Sequence, residues 1–135
     1  MKKFLVTALL FAACIAARSQ IMQQKPQWVT LSVPQLKCWV CKDRFENYLL
    51  REKGPNDDAG IIKWTINMNA GTIRIQYVPD RISPDYLRTA INNAGFDADS
   101  SKAEEDSYKK LPPLCKRAED GGGPQKGKPC NIPPE

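Results

Sequence analysis

The 135-residue chain is long enough for one compact domain with a tail, and it carries five cysteines and no histidine. The missing histidine excludes His-containing metal sites, Ser-His-Asp and Cys-His catalysis, and the usual proton shuttle near neutral pH, so no enzymatic activity is expected. The formal charge of +5 overstates the basic character, because three of the 20 basic residues (Lys2, Lys3 and Arg18) fall in a leader, leaving 17 against 15 acidic residues. With no dense Lys/Arg patch among aromatics, nucleic acid is not an expected partner.

Residues 1–19 read as a secretory signal peptide. Met1-Lys2-Lys3 is basic, Phe4 to Ala17 is apolar apart from Thr7, and Ala17-Arg18-Ser19 is a small-x-small cleavage site. The apolar run is shorter than the roughly 20 residues that a membrane span needs. Phe11-Ala12-Ala13-Cys14 is a poor lipoprotein box, so membrane attachment through Cys14 is the secondary expectation. The chain is therefore expected in a bacterial periplasm or another extracytoplasmic space, as a monomer. Such compartments are oxidising, and disulfides are the default fate of paired cysteines there.

Residues 20–27 are a polar lead-in, in which Met22 has no evident role. Val29, Leu31 and Val33 then alternate with polar residues as a half-buried strand, and Pro34 ends it. A helix is expected from Trp39 to Lys53, with Cys41, Phe45 and Leu49 at i, i+4 and i+8 and Tyr48 on the same side. Gly54-Pro55 stops it. Ile62, Trp64, Ile66 and Met68 mark a second strand, Asn69-Ala70-Gly71 a hairpin turn, and Ile73, Ile75 and Tyr77 a third strand. Ser83-Pro84 opens a second helix with an apolar stripe of Leu87, Ala90, Ile91 and Ala94, and Gly95 ends it. Phe96 to Asp99 is read as a short fourth strand. From residue 100 to 135 Ser, Lys, Glu, Asp, Pro and Gly dominate, and a flexible tail carrying Cys115 and Cys130 is expected.

The order strand, helix, strand, strand, helix, strand predicts an α+β fold over residues 28–99. It is the ferredoxin-like βαββαβ sandwich: a four-stranded antiparallel sheet with two helices on one face.

Cys38-Trp39-Val40-Cys41 stands where the first strand hands over to the first helix. Two cysteines separated by two residues can turn both sulfurs toward one point, and a helix start favours thiolate over thiol. Two soft thiolates suit Cu(I) first, with Hg(II) and Ag(I) as alternatives; Zn(II) fits less well, since it wants four ligands. Cu(I) with two thiolates is a −1 site, and neighbouring Lys37 offsets that charge. The same motif also serves a thiol–disulfide redox protein, a plain disulfide, or a non-metal binding module. Cys115 and Cys130 are expected to pair with each other across a small loop; alternatively they add thiolate ligands or act as a resolving pair for Cys38 and Cys41.

From about Trp28 to Asp99 the chain resembles the heavy-metal-associated domain of copper chaperones, metal-transporting ATPases and the periplasmic mercury-binding protein. The matching residues are Cys38-x-x-Cys41, Asn69-Ala70-Gly71-Thr72, Tyr77-x-Pro79, Ser83-Pro84-x-Tyr86-Leu87-x-x-Ala90-Ile91 and Ala94-Gly95-Phe96-Asp97-Ala98. The resemblance implies that Cys38 and Cys41 are the metal ligands and that Phe96 packs near the metal loop. It also implies delivery by ligand exchange to a metal-transporting ATPase or another metal-handling protein. Leu36 stands where the family places a buried Met, and Trp39-Val40 is bulkier than the family's common pair. Basic Lys37, Lys42 and Arg44 suggest an acidic partner surface. Met68 is expected in the core rather than at the metal.

Overall fold

The computed structural model describes residues 24–133; the leader, its cleavage site, Cys14 and Met22 lie outside them. The elements in chain order are β1 (Gln27–Ser32), α1 (Trp39–Lys53), β2 (Ile61–Asn67), β3 (Thr72–Tyr77), α2 (Pro84–Asn93) and α3 (Glu105–Lys109). Two 3-10 turns follow, Pro113–Cys115 and Ala118–Asp120. No helix among the described residues is long and apolar enough to cross a membrane.

The sheet is three-stranded and antiparallel, in the order β1-β3-β2, and corrects the expected four-stranded sandwich with two helices. The fourth strand fails at Asp99, whose φ of 52° turns the chain away from an extended path. One backbone bond to β1 survives, from Asp99 N–H to the Ser32 carbonyl at 2.9 Å. The bonds that a strand would have supplied come from side chains instead. Asp99 Oδ1 accepts from the Ser32 N–H at 2.9 Å, and Gln35 Oε1 accepts from the Asp97 N–H at 2.9 Å. Arg88 Nε donates to Asp99 Oδ2 at 2.8 Å and ties this edge to α2.

The inward face of the sheet is Leu31, Ile61, Ile73, Ile75 and Tyr77, and it packs on Phe45 and Leu49 of α1 and Leu87 and Ile91 of α2 as one cluster. The expected alternation in β2 is out of step at its start. Ile61 pairs with Tyr77 and Lys63 with Gln76, so Ile62 is the extra residue of a bulge and Ile61 takes the core position. Trp64 and Ile66 keep theirs, half-buried against the cluster. β2 ends at Asn67, leaving Met68 half-buried in the turn. On the opposite face Trp28 is covered by Arg74, 4.5 Å from its ring.

Local chemistry accounts for the other boundaries. Ser83 Oγ accepts from the Tyr86 N–H at 3.2 Å with Pro84 at the first helical position of α2. Asn67 Oδ1 accepts from the Ala70 N–H at 3.1 Å and shapes the β2–β3 turn.

Residues 100–133, expected to be flexible, are folded onto the domain. Glu104 caps α3 by accepting from the Asp106 and Ser107 N–H groups, and Leu111 and Cys115 enter the core. Gly95, at φ +96°, lets this segment approach: a Cβ there would stand 2.9 Å from the Ser107 carbonyl oxygen.

Candidate functional site

The site lies at the end of the sheet where β1 passes to α1. Val33 N–H bonds to the Gly71 carbonyl at 2.7 Å, and Leu36, fully buried, anchors the following turn in the core, taking the apolar position expected of it. Cys38 is the N-cap of α1, with extended backbone at φ −112° and ψ 148°. Its carbonyl accepts from the N–H groups of Cys41 at 3.1 Å and Lys42 at 3.0 Å, which closes the first turn and puts Cys41 one turn along. The first turn of α1 holds no acidic residue, so the helix N-terminus favours negative charge on sulfur while burial of both cysteines opposes it.

Both cysteines of the motif are fully buried, and each is bonded to a cysteine of the C-terminal segment. Cys38 is bridged to Cys130, with Cα atoms 4.7 Å apart, and Cys41 to Cys115, with Cα atoms 5.3 Å apart. This corrects the expected Cys115–Cys130 bridge. Cys41 lies on the buried stripe of α1 with Phe45 and Leu49, so its sulfur faces the interior, where Cys115 arrives beside buried Leu111. Cys38, one residue outside the helix, meets the last part of the chain instead. Four cysteines allow three pairings, and spacing alone does not choose among them.

The two bridges sit in different surroundings. Cys115 is fully buried, whereas Cys130 is half-exposed, with Sγ 3.9 Å from the Lys37 carbonyl oxygen. Cys130 borders two clefts. One, of about 530 Å³, is lined by Trp39, Val40, Asp43, Leu114 and Ile132; the other, of about 500 Å³, by Lys37, Met68 and Pro129 among others. The Cys130 carbonyl accepts from the Trp39 N–H, so the segment also satisfies one of the open donors at the start of α1.

A second lock holds the segment from the other side. Arg117 donates from Nε to Asp97 Oδ2 and from Nη2 to Asp97 Oδ1, both at 2.8 Å, a bidentate pair. Asp97 also accepts from the Ala103 N–H at 2.8 Å. Burial pushes the Asp97 carboxyl up, but the bonds from Arg117 and Ala103 and the charges of Arg117 and Lys102 outweigh it, so its pKa lies below the usual range. The Arg117 guanidinium is raised, first by the hydrogen bond to Asp97, and stacks 4.1 Å from the Tyr108 ring. Arg117→Ala is expected to cost about 2 kcal/mol at pH 7. A carboxyl lowered by folding stabilises the fold above its unfolded pKa of about 3.9 and loses that contribution as pH falls through the lower native value. Urea melts at pH 7 and pH 2 should therefore show the wild-type advantage over the variant shrinking in acid.

Among the residues expected to attract an acidic partner, Lys37 is exposed. Lys42 is paired with Glu46 at 2.6 Å and lies over Trp39, and Arg44 reaches the Lys110 carbonyl at 3.4 Å. Phe96 is fully buried, edge-on to Phe45 with ring centroids 5.2 Å apart, in the same cluster as Cys38 and Cys41.

As a donor set, Cys38 and Cys41 offer two sulfurs one helical turn apart, which fits a soft ion of low coordination number once they are reduced. Among the described residues no three His, Cys, Asp or Glu side chains otherwise gather as metal ligands.

No family model and no curated protein matches the chain. Among solved structures it is similar to oxidized MerP from Ralstonia metallidurans CH34, at 20% identity and a TM-score of 0.41 over 55% of this chain and 94% of that one.

Proposed function

We propose that this chain is an exported soft-metal-binding protein. In this reading it holds Cu(I), or alternatively Hg(II) or Ag(I), between Cys38 and Cys41 in their reduced form. It scavenges the ion or passes it by ligand exchange to a metal-transporting ATPase or another metal-handling protein. The observation that supports this most is the placement of the pair: Cys38 caps α1, Cys41 follows one turn later, and no acid stands in that turn. That setting stabilises thiolate, the form that binds soft metals. A two-coordinate ion leaves room for an incoming thiolate, so it moves through a three-coordinate intermediate without release to water. Two disulfides also accord with an oxidising, extracytoplasmic setting.

The bridges themselves favour a second reading, in which all four cysteines are permanent staples and the domain binds something other than metal. A Cu(I) titration against a chromophoric competitor separates the two. The metal reading expects one tightly held ion in the reduced protein, none in the oxidised protein, and none in the reduced Cys38→Ser/Cys41→Ser variant. No competition by the reduced wild type would leave the second reading standing.

A further inference from the structure

We propose that Cys130 is a thiol-exchange site whose attack by a dithiol unlocks the two bridges in a fixed order, outer before inner. This rests on the reading of Cys38 and Cys41 as the working pair and names what would open it.

The argument begins with access. Exchange needs a thiolate to approach a sulfur in line with the bond it breaks. Of the four cysteines, Cys38, Cys41 and Cys115 are fully buried and Cys130 is half-exposed between two clefts. The cleft beside Trp39 has a rim of Val40, Leu114 and Ile132 with one acid, exposed Asp43, and Val40 and Ile132 are 41% and 63% exposed. A rim of this kind suits a protein dithiol with a mainly apolar surface around its cysteines and a basic or polar group opposite Asp43. The chain carrying Cys130 has few other ties among the described residues: beyond the bridge, its backbone hydrogen bonds are the Trp39 N–H bond to the Cys130 carbonyl and a Lys128–Gln125 turn bond. It can therefore leave at the cost of the packing of Cys130 on the edge of the core.

The leaving group comes next. When an external thiolate bonds to Cys130 Sγ, the Cys38–Cys130 bond breaks and its electron pair departs on Cys38 Sγ. Cys38 caps α1, where the dipole stabilises that charge and makes it a better leaving group. The second thiol of the reductant then attacks its own sulfur in the mixed disulfide. It leaves as an oxidised dithiol, and Cys130 takes up a proton. Two electrons pass from the dithiol to the protein.

The relay is internal. The Cys41 N–H bonds to the Cys38 carbonyl, so these residues span one turn and their Cα atoms fall within disulfide reach. The freed Cys38 thiolate attacks Cys41 Sγ, forming Cys38–Cys41 and breaking Cys41–Cys115, and Cys115 leaves and is protonated. No net electrons move in this step. A second dithiol then reduces Cys38–Cys41 and exposes both proposed metal ligands.

The order can be trapped. The oxidised full-length mature protein is treated with limiting dithiothreitol, quenched in acid, alkylated and mapped by mass spectrometry. The expected early species carry alkyl groups at Cys38 and Cys130 with Cys41–Cys115 intact, followed by species alkylated at Cys115 and Cys130 with Cys38–Cys41 closed. An early species that keeps Cys38–Cys130 while Cys41 and Cys115 are alkylated would overturn the proposal, as would simultaneous loss of both bridges. In Cys38→Ser the relay is cut, and opening of Cys41–Cys115 should slow by about tenfold or more, since it must await local unfolding. Loss of a staple by itself would speed that opening, so an unchanged or faster rate refutes the relay. No metal is present here, so failure leaves the titration untouched, and a negative titration leaves the order of opening standing.

Discussion

Replacing all four bridge cysteines by serine is expected to cost the domain about 7 kcal/mol, while removing either bridge alone costs about 3 kcal/mol. The asymmetry comes from nesting. The bridges close loops of 92 and 74 residues, one inside the other. Either bridge alone restrains the unfolded chain by about 4 to 5 kcal/mol on loop-entropy grounds. Once one is closed, the other closes only the small ring left between residues 38–41 and 115–130, roughly 20 residues and worth about 3 kcal/mol. Single-domain stabilities are about 5–15 kcal/mol, so the variant lacking both bridges should sit near or past its unfolding midpoint at room temperature. Urea melts of Cys38→Ser/Cys130→Ser, Cys41→Ser/Cys115→Ser and the fourfold variant test this. Losses of 4 to 5 kcal/mol from each pair, with no greater loss from both, would contradict the nesting. The consequence for function is direct. A reduced, metal-free protein is its least stable form, and an ion held by the native site alone would restore stability by mass action. On the proposed metal-binding reading, reduced wild type should melt at higher urea with Cu(I) than without it.

Much of the scaffold was legible in the sequence because its signals are local. The stripe Cys41, Phe45, Leu49 with Gly54 beyond it marked α1 from Trp39 to Lys53, and the structure begins and ends it there. Ser83-Pro84 marked the start of α2 through a cap that the Ser83 hydroxyl makes. What failed depended on tertiary bonds. Phe96 to Asp99 alternates as a strand should, but Asp99 enters the left-handed region and spends its carboxylate on Ser32 and Arg88. Ile61 and Ile62 are both apolar, and nothing in their order tells which one a bulge ejects. Residues 100–133 are polar enough to read as flexible. They are held by two covalent bridges and the Asp97–Arg117 pair, which composition does not register. The motif was visible as a candidate site, but its partners were not. Cys115 lies 74 residues from Cys41, and the folding of the segment between them decides the pairing.

Phe96→Ala is expected to cost about 4 kcal/mol. Phe96 is fully buried with its ring edge-on to Phe45, and Phe45 stands one turn after Cys41 on the same stripe. Deleting the ring leaves a cavity under α1 and removes an aromatic pair whose geometry adds to its burial. The surroundings have little freedom to collapse into it. The chain on one side is pinned by Asn92 Nδ2 donating to the Phe96 carbonyl at 3.0 Å, and on the other by the Asp97–Arg117 pair. Phe96→Leu keeps most of the volume and should recover more than half of the loss. Urea melts of the oxidised proteins measure the stability term. The same variants bear on the site, because a cavity beneath Phe45, one turn after Cys41, loosens the element that carries Cys41. Protease nicking of residues 100–133 should rise in Phe96→Ala and stay near wild type in Phe96→Leu. Equal nicking in both would mean that the ring stabilises the core without positioning α1 against the C-terminal segment.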